Sequence, residues 1–565
     1  MLVATVVMIE MVAVSKLHRR LLTVMMVAMT TILAFAASPE TARAADAGAI
    51  TIGGDVATQY DAYQLFSATV TDKAGFDQKV ATDLAWASDA ARQAVLPVLY
   101  DAGFDSSAST AQEAAEWLNA DGHMSTALAA RLACAICNAG AASVPLNAGM
   151  AAELPCGYWL IVADDDAIDQ GEAATAPIMA LVGGGAVTVK PKAATPKVAK
   201  HVLEDGTAAW QKAADATVAD DLYWRLSATV PAGLTAYDTY TVRFVDTMSA
   251  GLDPSKVAAS MRVYAAAGAD GGFDAVSTGK DGRAGTEPAK GWTDITAQCG
   301  VSVDGKTFTV RTGDLIAALG GADAFTAGAR VVAVYNAPLN SACNHGIAKG
   351  NPNEVYLRYP RSPFADQSGD AGFTRTPSDD ACAYTWDLAL TKRGSDGDKP
   401  LAGAVLSIAD DRGRTLAADG AWDAEGKATV TTGEDGRVTV SGVDSGKLEV
   451  RELKAPKGYT AFEGTRSVTV KAEGLDVDQV AAAKPKLTIT AESPLRADSA
   501  DGSTGSLEAS IINTPTGTPP SITTGGFMPL TGDMAMYAVA AAAVAGAALI
   551  VVALLIKRGG GSHKE

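Results

Sequence analysis

The sequence predicts a mainly β chain: tandem antiparallel β-sandwiches behind an α+β domain with a helical insertion, bracketed by a signal peptide and a C-terminal transmembrane helix. Three observations carry that expectation. Alternating apolar and polar runs separated by Gly and Asp turns recur through the second half of the chain; an Ala-rich stretch of helical texture precedes them; and an apolar run stands near each end. At 565 residues the chain exceeds the roughly 250 to 300 residues that one core holds, so several domains are expected. The 46 Lys+Arg against 64 Asp+Glu leave a net charge of -18, which opposes binding to nucleic acid and favours solubility in an exposed setting.

Residues 1–44 read as a signal peptide. A basic cluster of Lys16, His18, Arg19 and Arg20 is followed by an apolar run from Leu21 to Ala37 and the small-residue site Ala42-Arg43-Ala44. Residues 1–15 look like an upstream extension, with Met8 and Met11 as alternative starts. Export makes disulfides permissible for the six cysteines, Cys134, Cys137, Cys156, Cys299, Cys343 and Cys382, whose pairing sequence alone does not give. Cys134 and Cys137 form a lone C-x-x-C without a second pair or a nearby His, so no metal site is predicted.

Residues 45–186 are expected to form the α+β domain: strands at Ala49 to Thr51 and Gln64 to Val70, a helical stretch over about 76–143, and a strand at Tyr158 to Val162. Residues 187–375 carry alternating runs such as Tyr240 to Phe244 and Val355 to Tyr359, and are expected to form a β-sandwich. Residues 380–515 repeat the texture, with strands near Trp386 to Thr391, Ala404 to Ile408, Arg437 to Ser441 and Leu448 to Glu452. A Thr-, Pro- and Gly-rich linker over 516–533 holds Met528-Pro529-Leu530-Thr531-Gly532. The apolar run 534–556 is long enough to cross a bilayer, and the tail 557–565 opens with Lys557-Arg558, which the positive-inside rule keeps cytoplasmic.

In a strand, residues two apart share a face, which singles out charged residues on apolar faces. Lys200 lies with Val198 and Val202, Asp246 with Val242 and Phe244, and Asn353 with Val355, Leu357 and Tyr359. Lys392 lies with Leu388 and Leu390, Glu452 with Leu448 and Val450, and Asn513 with Leu507 and Ala509. Each sandwich thus offers a lysine, an acid and an asparagine pointing inward. Burial of such groups forces them to pair, neutralise or react. Desolvation favours a neutral amine and a protonated carboxyl, the forms in which an amine attacks an amide polarised by an acid. The product would be a Lys-Asn isopeptide bond with loss of ammonia.

Three motifs resemble those of Gram-positive sortase-assembled backbone (major) pilins, the isopeptide-forming fimbrial subunits. Met528-Pro529-Leu530-Thr531-Gly532 with its span and tail resembles an LPxTG sorting signal, with Met in place of the usual Leu. Leu448 to Tyr459 looks like the E-box of collagen-adhesin B-type domains, and Val334-Tyr335-Asn336-Ala337 with Asn353 to Tyr359 is similar to the A-type middle domain. Val187-Thr188-Val189-Lys190-Pro191-Lys192 resembles the VxVYPK motif, with Lys190 in place of tyrosine.

The resemblance implies Ig-like A- and B-type sandwiches in which Lys200 joins Asn353 with Asp246 as catalyst, and Lys392 joins Asn513 with Glu452 as catalyst. Lys197 and Asn351 are the nearest competitors, and each bond is expected to tie a first strand to a last strand. It further implies that a sortase attacks Thr531 and that Lys192, with Lys190 as the alternative, receives the next subunit. The implied partners are pilus-specific and housekeeping sortases, other copies of the chain, minor pilins, peptidoglycan and host surface ligands; the implied location is the cell wall. A minor pilin or a monomeric wall-anchored adhesin is the alternative. The chain has no GxSxG, HExxH or P-loop motif, and Asp164 to Asp166 with Asp169 lacks calcium-loop spacing, so neither an external enzyme activity nor a cofactor is expected.

Overall fold

A computed structural model describes residues 47–517 except 54–58, 73–78, 121–122, 165–173, 175, 191–194, 235, 364–366 and 368. The signal peptide, Lys192, Met528 to Gly532, the apolar run 534–556 and the basic tail lie outside the described residues. Among those described, no helix is long and apolar enough to cross a membrane.

The chain is mainly β. In its first unit, strands Gln59–Asp72 and Gly157–Ala163 pair antiparallel at the centre of a five-stranded sheet. Gly157–Ala163 is apolar along almost its whole length because both faces of that sheet are covered. On one face, Phe66, Leu160 and Val162 pack against the helices Asp89–Asp101, Ala111–Asn119 and Thr126–Asn138. On the other, Trp159 and Ile161 pack against Ile50, Ile52 and Leu154 of a three-stranded sheet. The helices start where capping side chains stand: Ser88 and Ser125 accept from Ala91 N and Leu128 N, and Thr110 forms a capping box with Glu113.

Two details of this unit differ from the sequence expectation. Lys79–Trp86, placed within the helical stretch, is a strand paired with Gln59–Asp72. Ala81 and Ala85 blur its alternation, and the first capping residue, Ser88, comes only after it. Val187–Val189, assigned to the start of residues 187–375, pairs parallel with Ala47–Ile52 and so completes the first unit.

The middle sandwich faces a six-stranded sheet against a seven-stranded one. In the first, Lys197–Glu204, Tyr223–Val230 and Ala329–Asn336 are consecutive neighbours. In the second, Asp379–Tyr384, Asn351–Pro360, Arg243–Met248 and Thr307–Arg311 run in that order. The alternating run at Tyr240 enters its strand later than expected, at Arg243, because Tyr240 N and Val242 N bond to Asp314 and Thr312 side chains. Asp379–Tyr384 serves two cores by alternation: Ala381 and Ala383 face the middle one, Cys382 and Tyr384 the next.

The last sandwich packs a five-stranded sheet, with Arg437–Val443, Trp386–Gly394 and Ser506–Pro515 side by side, against a seven-stranded sheet centred on Val405–Ala409, Gly446–Lys454 and Thr465–Glu473. Polar contacts fasten the two sandwiches together. Asp215 of the middle one accepts from Trp386 Nε1 at 2.7 Å and from Ser445 N at 2.9 Å, and Asp220 pairs with Arg412 and Arg414.

Candidate functional site

In the middle sandwich, Lys200 and Tyr335 project from one sheet and Asp246 and Asn353 from the other. Tyr335 lies opposite Trp224 and Lys200 opposite Leu226, so the two side chains leave the same face of the six-stranded sheet two strands apart. Met248 lies opposite Asn353 and Asp246 opposite Val355, which puts Asp246 and Asn353 diagonally adjacent on the facing sheet. All four residues have no exposed surface.

Lys200 Nζ is ion-paired with Asp246 Oδ2 and lies 2.9 Å from the Tyr335 hydroxyl. That hydroxyl donates to Asp246 Oδ2 at 3.1 Å and accepts from Asn353 Nδ2 at 2.8 Å. The rings of Trp224 and Tyr335 each stand 5.5 Å from the ammonium and exclude water. Asp246 Oδ1 and Asn353 Oδ1 are buried without a hydrogen-bond partner among the described residues. Burial pulls the Lys200 amine down to about 8 against the opposing pull of Asp246, and it pushes the Asp246 carboxyl up against the pull of Lys200. Both shifts favour the uncharged forms. A neutral amine and a protonated carboxyl are the pair that amide attack requires, and the orphaned amide oxygen is where the acid would act.

The last sandwich builds its cluster by a different route. The strands of Lys392 and Asn513 are parallel neighbours, with Lys392 opposite Ile511 and Gly394 opposite Asn513, so lysine and asparagine share a face two residues apart. Glu452 comes from the facing sheet. Lys392 Nζ donates to Asn513 Oδ1 and lies 3.0 Å from Glu452 Oε1, which also accepts from Asn513 Nδ2 at 2.9 Å. Phe462 N donates to Glu452 Oε2 at 3.1 Å, and its ring stands 5.5 Å from the ammonium. Burial, opposed by Glu452, lowers the Lys392 amine to about 8.

The structure therefore brings together Lys200, Asp246 and Asn353, and separately Lys392, Glu452 and Asn513. Asn353 is not on a last strand, since Asp379–Tyr384 follows it in the same sheet; a bond to Lys200 would cross between sheets, whereas one from Lys392 to Asn513 would join neighbouring strands. The competitors stand elsewhere. Lys197 is exposed. Asn351 is buried, but its amide is consumed by Asn344 N at 2.8 Å, Asn344 O at 2.9 Å and Ala383 O at 3.2 Å. Lys190 is exposed just after Val187–Val189, beside a cleft of about 910 Å³ whose walls include Met124, Leu181, Leu234 and Tyr237. The sequence pattern gives no role to Tyr335 or Trp224, because an aromatic on an apolar strand face reads as core, nor to Phe462, which lies between the strands Tyr459–Thr460 and Thr465–Glu473. Among the described residues no group of three or more His, Cys, Asp or Glu could hold a metal ion.

With that geometry in place, the last cluster coincides with a known domain type. Residues 387–484 match the family model described as SpaA: Prealbumin-like fold domain. The match takes in Lys392 and Glu452 and stops short of Asn513. A curated relative, the trypsin-resistant surface T6 protein of Streptococcus pyogenes serotype M6, is 30% identical over 143 residues, 24% of this chain and 24% of that protein. The chain thus spans about a quarter of the length of the curated relative it matches. Among solved structures, the T6 backbone pilin of serotype M6 Streptococcus pyogenes is similar over 85% of this chain and 100% of its own, at 15% identity and a TM-score of 0.45. The full-length major pilin SpaD from Corynebacterium diphtheriae has the same coverage and identity, with a TM-score of 0.42. These relatives are surface and pilin proteins of Gram-positive bacteria rather than enzymes.

Proposed function

We propose that the chain is the shaft subunit of a covalent pilus anchored to the cell wall, polymerised by sortase between Thr531 of one copy and Lys192 of the next, and stiffened by Lys200-Asn353 and Lys392-Asn513 isopeptide bonds. The observation that carries this reading is the repetition of one chemical set, lysine, acid and asparagine, at no exposure or nearly none, in two sandwiches that assemble it from different strands. An ion pair sealed in a core is a poor source of stability, because desolvation offsets most of its attraction. Two such clusters built beside asparagine amides are better explained by a reaction than by stabilisation. Conversion to an amide removes both lysine charges from the core, and it turns the Lys392-Asn513 hydrogen bond and the Tyr335-bridged approach of Lys200 to Asn353 into covalent ties.

The wall-anchoring half of the proposal rests on the sequence order of Met528 to Gly532, an apolar span and a basic tail, with Lys192 following the strand Val187–Val189. Two measurements test the whole. Intact mass of the secreted chain is expected to fall short of the calculated value by two ammonia molecules, and a chain at full mass overturns the internal bonds. Wall extracts are expected to contain an SDS-resistant ladder that disappears in Lys192→Ala. A full ladder in that variant rejects Lys192, while a single wall-linked species in the unaltered protein favours a monomeric adhesin.

A further inference from the structure

We propose that Tyr335 is a catalytic residue of the middle sandwich, its hydroxyl carrying a proton from Lys200 Nζ to Asn353 Nδ2 as the isopeptide bond forms. This rests on the reading above that Lys200 and Asn353 become joined. The joining needs more than attack. Nζ must give up one proton, and Nδ2 must gain one to leave as ammonia, so some group has to touch both nitrogens.

In the last sandwich one carboxylate oxygen meets that requirement: Glu452 Oε1 is 3.0 Å from Lys392 Nζ and 2.9 Å from Asn513 Nδ2. Asp246 is shorter by a methylene. Its Oδ2 contacts Lys200 and Tyr335, and no contact joins either of its oxygens to Asn353 among the described residues. The bridging place is taken instead by Tyr335, whose oxygen is 2.9 Å from Nζ and 2.8 Å from Nδ2. A hydroxyl has one proton to donate and two lone pairs to accept with, and all three are engaged, by Asp246, Lys200 and Asn353.

The step balances without any outside reagent. The neutral amine of Lys200 attacks Asn353 Cγ, forming the Cγ-Nζ bond. Amide resonance is lost at Cγ, so Nδ2 gains a lone pair and changes from donor to acceptor. Tyr335 turns its proton from Asp246 Oδ2 to Nδ2 and takes one from Nζ; the Cγ-Nδ2 bond breaks and ammonia leaves. Tyr335 ends as it began, and Asp246 keeps its proton to polarise the amide oxygen. Because burial and the neighbouring Asp246 push the Tyr335 hydroxyl well above its ordinary value, the two transfers are coupled and no free phenolate forms.

The test follows the full chain made by cell-free translation, mapping the Lys200-Asn353 and Lys392-Asn513 cross-links by peptide mass at fixed times. Tyr335→Phe is expected to slow the first link by roughly 10²-fold, the usual contribution of a positioned proton-transfer group, and to leave the second at the unaltered rate. The second link reports folding within the same molecule. Replacing the Tyr335 side chain by fluorotyrosine keeps its shape and changes the hydroxyl acidity, so it is expected to change the rate of the first link only. Formation of the first link at the unaltered rate in both variants overturns the role of Tyr335. Absence of the first link from the unaltered chain overturns the underlying reading instead, so the two failures are told apart.

Discussion

Glu452 Oε1 accepts from Asn513 Nδ2 at 2.9 Å across the gap between the two sheets of the last sandwich, and neither residue is more than 6% exposed. A carboxyl group held against an amide in a dry core has little to gain from remaining there as a simple hydrogen-bond acceptor. The contact is better suited to chemistry than to adhesion between sheets.

Removing either asparagine should remove one bond and no more. Asn513→Ala and Asn353→Ala are each expected to restore the mass of one ammonia to the secreted chain, and the double variant both. Lys392 and Asn513 are 121 residues apart, and by the loop-closure estimate for cross-links the loss of that tie costs roughly 4 to 5 kcal/mol. Intact mass and thermal unfolding of the same samples check both parts.

Pulling on the ends should separate the bonded from the unbonded sandwich. With Lys392 joined to Asn513, force passes between neighbouring strands and the 121-residue segment stays closed. Asn513→Ala should add one unfolding event of about 400 Å, the extended length of that segment. Single-molecule force measurement on the two proteins checks this, and an equal extension in both would rule out the tie.

The junction of the two sandwiches should weaken as pH rises. Glu204 is pushed up to about 8 by burial and by Asp215, Asp205 is raised by burial and Asp215, and Asp444 is raised well above the ordinary range by burial, Asp215, Asp205 and Glu204. These acids bind protons more tightly folded than unfolded. Stability is therefore full below the ordinary carboxylate range and falls as pH climbs toward about 8, the reverse of a salt-bridged carboxylate. Arg412 opposes the trend through Asp205 at 3.7 Å, and Lys280 borders the same cleft. Asp444→Asn keeps an acceptor for Ser445 N and cannot ionise, so it should raise stability at pH 8 and flatten the slope. Thermal unfolding across pH decides the sign.

Polymerisation should depend on two residues far apart in the sequence, Lys192 between the first unit and the middle sandwich and Thr531 after the last sandwich. Thr531→Ala is expected to abolish the ladder and the wall-linked species alike, whereas Lys192→Ala should abolish the ladder and leave wall-linked monomer. Lys190→Ala should leave the ladder intact; its loss in that variant would move the joining role to Lys190. Immunoblots of wall and medium fractions distinguish these outcomes.

Much of the fold and of the candidate sites was legible because strand alternation is a local property. Lys200, Asp246, Asn353, Lys392, Glu452 and Asn513 each stood out against apolar residues two positions away, and each is buried. The same rule could not separate Asn353 from Asn351, which share a face. What separates them is that Asn344 and Ala383 consume the Asn351 amide. The strand Lys79–Trp86 was hidden by its alanines, which suit either period, and the true start of the helices was marked by Ser88.

The sequence by itself determined the β texture and which polar side chains had to face a core, because each is written in neighbouring residues. Only the tertiary structure decided which of those side chains meet. Tyr335 lies 89 positions from Asp246 and 18 from Asn353, yet its hydroxyl joins them at 3.1 and 2.8 Å. Hydrogen bonds and proton transfers act over such distances and no further, and those distances are set by how two sheets face each other, which no local pattern encodes.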